Sequence, residues 1–157
     1  MNPGHAGVIA QTIQLALAPV FVLVAIGNIM NILTTRLGRI VDRSRALQSQ
    51  HAQTSGREHD LVVIEIRYVD RRIHLIGRAL LLLVVSGLAI GVTVGSLFIG
   101  EMAGLELRNL TGITFFGAIA LLMIALVYLL LETRIAASSL RLPQELLELE
   151  RDIPHRQ

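Results

Sequence analysis

Residues 79–99 read ALLLLVVSGLAIGVTVGSLFI, a run of 21 residues without a charged side chain. A helix rising about 1.5 Å per residue needs roughly 20 apolar residues to cross a hydrocarbon core of about 30 Å. This run is therefore one membrane span long. Two similar gaps in charge flank it. No Asp, Glu, Lys or Arg precedes Arg36, and none lies between Arg108 and Glu132. A water-soluble bundle keeps a solvated face on every helix and does not leave three such gaps. The pattern predicts an all-α integral membrane protein with three transmembrane helices in a single domain of 157 residues.

Upstream of this run, Val62, Ile66, Val69, Ile73, Ile76, Leu80 and Leu83 keep a 4,3 spacing. This is a coiled-coil-like seam, and it runs straight into the span. One helix is expected from near Arg57 to Ile99. Before it, HAQTSG at 51–56 is the first convincing break, with Ser55-Gly56 as its turn signal. The first span is placed at about 13–33. Pro19 removes one helical hydrogen bond there and is expected to kink the helix. Met1 to Gln14 carries no positive charge, so this segment reads as a retained helix rather than a cleaved signal. The helix is expected to continue to about Gln50. Leu37, Ile40, Ser44 and Leu47 then supply a stripe matching the seam, giving an antiparallel helical hairpin over about 34–78. Its outer surface would carry Arg43, Arg45, Glu58, Arg67, Asp70 and Arg71.

Beyond the central span, a loop at 100–109 leads to a third span at about 110–131. Glu101, Glu106 and Arg108 in that loop read as solvating residues. In the tail, 132–157, Pro143 is expected to open a short acidic helix, PQELLELERD. Orientation follows from arginine placement. Nine arginines lie between spans one and two, four follow span three, and only Arg108 lies on the other side. This places the amino terminus outside, the carboxyl terminus inside, and the hairpin in the cytoplasm. There is no internal repeat to suggest an inverted-repeat transporter.

The chain has no cysteine, which excludes disulfides and thiolate chemistry. All its basic side chains are arginine. The net charge is only +2, so nucleic-acid binding does not follow. The sequence contains no HExxH, GxSxG, Walker lysine or GxGxxG and no partnered triad. A catalytic role is not expected, and neither is a cofactor. His51 and His59 flank the hairpin turn, but the five histidines lack the close spacing of a metal site. His74 lies beside the seam near the membrane surface.

The first span carries the most informative pattern. At 100° per residue, Gln14, Leu17, Phe21, Val24, Asn28, Asn31, Ile32, Thr35, Arg39 and Asp42 share one face. An unpaired amide in hydrocarbon costs several kcal/mol, so Asn28 and Asn31 must face protein or water. In a pore lined by this helix from each subunit, Gln14, Asn28, Asn31 and Thr35 would be the polar lining. Leu17, Phe21 and Val24 would form a hydrophobic gate that closes by dewetting. Arg36, Arg39, Asp42 and Arg43 would surround the inner vestibule. Their mixed signs leave selectivity undetermined. A single protomer is too thin to enclose a path, so a symmetric homo-oligomeric ring such as a pentamer is expected. Gly87, Gly91 and Gly95 form a GxxxGxxxG ladder on the second span, read as a helix-packing signal.

The segment Ile13 to Leu47 resembles the opening of a bacterial family of small three-helix membrane proteins of unknown function. The resemblance rests on APVF at 18–21, Asn28 and Asn31, TRLGRIVDR at 35–43 and RRIHLIGRA at 71–79. It covers about residues 10 to 135. It implies an inner-membrane protein of this topology and supplies neither an activity nor catalytic residues. The sequence thus points to a homo-oligomeric ion channel. The alternative is a non-conducting scaffold whose arginine-rich hairpin binds a cytoplasmic partner or anionic lipid. In that case Asn28 and Asn31 fix helix packing alone. An accessory subunit of a larger membrane enzyme is a third reading.

Overall fold

The computed structural model describes residues 3–139, with side chains described for 13, 14 and 16–137. The expected acidic helix at Pro143 lies outside the described residues. Three helices make up the described chain: α1 (Pro3–His51), α2 (Arg57–Ala103) and α3 (Arg108–Ser139). All three are long and apolar enough to cross a membrane. The protein is therefore read as a multi-pass membrane protein. Phe116, Ile113, Leu88, Leu81 and Met102 are among many large apolar side chains that face outward. A soluble monomer rarely exposes so continuous an apolar surface, whereas lipid covers it without cost.

The helices are longer than the spans they contain. α1 runs unbroken through Pro19, and its 49 residues extend for about 74 Å. α2 continues four residues past Ile99, to Ala103. α3 continues through Glu132 to Ser139, where the sequence suggests a tail. Two glycines make the reversals possible. Gly56, at φ 66°, precedes α2, and Gly104, at φ 63°, ends it. Both occupy the left-handed region that a Cβ disfavours. The Gly104 N–H bonds back to the Gly100 carbonyl, satisfying one of the last orphan acceptors of α2. Glu58 and Asp60 in the first turn of α2 complement its dipole.

α2 is the middle helix and packs against both others. Its contact with α1 follows heptads. Ile26, Leu33, Ile40 and Leu47 are buried on α1; Val62, Val69, Ile76, Leu83 and Ile90 are buried on α2. Steps of seven on both helices keep one seam facing the partner over its whole length. The antiparallel sense is fixed by the Arg43–Glu65 ion pair at 2.6 Å and by the approach of Leu23 and Ile26 to Gly87.

The contact between α2 and α3 uses smaller side chains. Ala79, Ser86 and Thr93 are buried on α2, and Ala118, Ala125 and Glu132 on α3, again in steps of seven. Small residues let two backbones approach closely where the hydrophobic effect offers little drive. The hydroxyls then find partners across the seam. Ser86 Oγ donates to the Ala118 carbonyl at 2.7 Å. Thr93 Oγ1 donates to Thr114 Oγ1 at 2.9 Å, and Ser96 and Thr111 share a hydrogen bond of 2.7 Å.

Candidate functional site

The buried face of α1 fixes where its opposite face points. Relative to Ile26 and Leu33, the side chains at 17, 21, 24, 28, 31 and 35 lie roughly on the far side of the helix at 100° per residue. Gln14, Leu17, Phe21, Val24, Asn28, Asn31, Ile32, Thr35, Arg39 and Asp42 are all exposed. The chain thus turns this whole stripe away from its own α2 and α3. Phe21 is among its most exposed members, at 69%. Thr35 Oγ1 donates to the Asn31 carbonyl at 3.0 Å, so its hydroxyl is partly satisfied within the helix. Among the described residues, the Asn28 and Asn31 side-chain amides have no hydrogen-bond partner.

The four charged residues at 36–43 divide into two pairs. Arg39 and Asp42 stay on the outward face, with Asp42 4.0 Å from Arg45. Arg36 and Arg43 turn toward the other helices. Arg43 donates through Nε and Nη2 to one oxygen of Glu65, at 2.8 and 2.6 Å. Arg36 reaches across to α3.

There it meets Glu132, whose side chain is 0% exposed. Arg72 of α2 donates through Nε and Nη2 to Glu132 Oε1 at 3.0 and 2.8 Å. Arg36 Nη2 stands 3.3 Å from Glu132 Oε2, an ion-pair contact that lacks hydrogen-bond alignment. Arg36 Nη1 also donates weakly to Thr133 Oγ1 at 3.4 Å. One carboxylate therefore joins three helices. A buried charge is tolerable only when paired, and this one has a cation on either side. Neither Glu132 nor Arg72 stands out in the sequence as a site residue. The signal that could have found Glu132 is heptad phase, because it continues the Ala118, Ala125 series by one more step of seven.

The glycine ladder splits as well. A Cβ on Gly87 would meet Leu23 Cδ1 at 3.6 Å, so this glycine serves the α1–α2 contact. A Cβ on Gly91 or Gly95 would meet nothing within 4 Å. Packing of α2 on α3 is carried by Ala79, Ser86 and Thr93 instead. His51 and His59 do meet, with ring centroids 4.3 Å apart. Among the described residues, no group of three or more His, Cys, Asp or Glu is placed to hold a metal ion.

Three membrane-length helices, an outward polar stripe on the first and an ionic knot joining all three define a small helical membrane protein of the three-span class. The chain belongs to the DUF2721 family, a family of proteins of unknown function, which it matches over residues 16–142. Comparison with curated proteins found no match, and comparison with solved structures found none.

Proposed function

We propose that this protein assembles with copies of itself into a ring, and that α1 lines an ion-conducting path along the ring axis. One observation carries the reading. Asn28 and Asn31 face away from the protomer that contains them, with no side-chain partner among the described residues. Along the helix they lie about 12 and 8 Å from Arg36, on the apolar side. Amides held at that depth need protein or water, and neighbouring copies around a water column would supply both.

In that ring, Gln14, Asn28, Asn31 and Thr35 hydrate the passing ion, and Leu17, Phe21 and Val24 form the constriction. Arg39 and Asp42 flank the inner mouth, while Arg36 and Arg43 brace α1 from behind. The reading is non-enzymatic and needs no cofactor. Arginine placement supports an orientation with the hairpin and carboxyl terminus in the cytoplasm and the amino terminus outside the bacterial inner membrane. The basic hairpin root would then face anionic lipid headgroups.

The test is flux. Purified protein in sealed liposomes is expected to pass small ions, and Asn28→Ala or Phe21→Ala to change the rate. Oligomeric protein that passes no ion under voltage, pH or Ca²⁺ challenge would overturn the proposal.

A further inference from the structure

We infer that a groove on the surface of α2 and α3, lined by Arg78 of α2 and Tyr128 of α3, is a binding site for one anionic diacyl phospholipid. The groove encloses about 440 Å³ and includes His74, Gly77, Arg78, Leu81, Leu82 and Tyr128 in its wall. The groove is open beside Gly77, where a Cβ would meet nothing within 4 Å. Leu81 and Leu82 offer an apolar wall toward the uncharged 79–99 run, suited to an acyl chain. Arg78 stands at the polar end, where a headgroup phosphate would lie. Tyr128 presents an aromatic body and a hydroxyl at the same level, as tyrosines at membrane interfaces do.

Charge selects an anionic headgroup. Arg78 is exposed, and no ion-pair partner is found for it among the described residues. Arg67, Arg71, His74 and Arg78 fall within about 60° on one face of α2, so the positive field extends below the groove. Asp70 is the one acidic residue between Arg67 and Arg78, and it sits 3.7 Å from His74. A phosphate at Arg78 would gain a charge-assisted contact that no described residue supplies. An acidic protein segment would find the same charge, and the test below separates the two because it reads contact with the lipid chain itself.

This inference deepens the proposed contact with anionic lipid and is independent of conduction. Its test uses vesicles with the same composition in both leaflets, so it is independent of orientation too. The chain contains no Trp and only two Tyr, Tyr68 and Tyr128. A Tyr68→Phe protein therefore reports from Tyr128 alone. It is reconstituted in phosphatidylcholine vesicles carrying a small fraction of brominated phosphatidylglycerol or brominated phosphatidylcholine. Brominated chains quench a tyrosine they touch. The apparent preference for the glycerol lipid is expected to be about fivefold, the effect of one arginine at an anionic surface. Arg78→Gln is expected to abolish it. Gly77→Leu, which fills the groove without altering charge, is expected to abolish it as well. Equal quenching by the two lipids overturns the site. So does a preference lost in Arg78→Gln but kept in Gly77→Leu, because that is diffuse surface attraction without a groove. Far-ultraviolet circular dichroism confirms that both variants stay helical.

Discussion

Arg72 holds Glu132 through two nitrogens on one carboxylate oxygen, at 3.0 and 2.8 Å, and that bond joins the middle helix to the third. Arg36 closes on the other oxygen from α1 at 3.3 Å. Removing the carboxylate strands two cations near the membrane edge. Glu132→Ala is expected to destabilise the protein by about 3 kcal/mol, read as a lower unfolding midpoint in micelles. Replacing both members, as in Arg72→Met with Glu132→Leu, is expected to recover much of that loss. A Glu132→Ala protein as stable as the parent contradicts the bracing role.

The exposed amides give a second expectation. Asn28→Leu leaves the α1–α2 seam untouched, because Asn28 lies opposite Ile26 and Leu33. The protomer should fold normally while self-association weakens by about 1 kcal/mol for each intersubunit amide hydrogen bond removed. Energy transfer between labelled copies in vesicles measures this directly. Unchanged association with Asn28→Leu and Asn31→Leu combined would remove the amides from any subunit interface.

The glycines are expected to behave unequally. Gly87→Leu drives a side chain against Leu23 and Ile26 and should cost about 1–3 kcal/mol. Gly91→Leu meets open space and should leave protomer stability within about 0.5 kcal/mol. Thermal unfolding in micelles separates the two. Equal losses at both positions would mean that a further surface covers Gly91.

The three spans can be read from the gaps in charge alone, and the hairpin from the unbroken 4,3 spacing of Val62 to Leu83. Both are signals carried by many residues at once. The outward stripe is also readable, because the spacing of Phe21, Asn28 and Thr35 defines a face whatever packs behind it. Glu132 is harder. It stands next to an apolar run, where a charge ordinarily marks the return to water. Its burial depends on Arg36 and Arg72, which lie 96 and 60 positions upstream. Local periodicity does not report such distant partners. The ends of α2 and α3 differ from expectation for a related reason. Glu101 and Glu132 suggest boundaries, yet both helices continue past these charges.

Topology has its own test, and the absence of cysteine makes it clean. A membrane-impermeant maleimide applied to intact spheroplasts is expected to label Glu106→Cys but not Gln53→Cys. Inside-out vesicles should give the reverse. Labelling of Gln53→Cys from outside would invert the proposed orientation.

The most direct measurement is a cysteine scan of α1 in conducting liposomes. Single cysteines at 17, 21, 24, 28, 31 and 35 meet a charged, water-soluble thiol reagent while flux is recorded. Modification at 28, 31 and 35 is expected to block or alter the current, whereas cysteines at 26 and 33, on the buried seam, react slowly or not at all. A current that persists unaltered after reagent has reached every position on the stripe would show that ions take another route or that α1 lines no path.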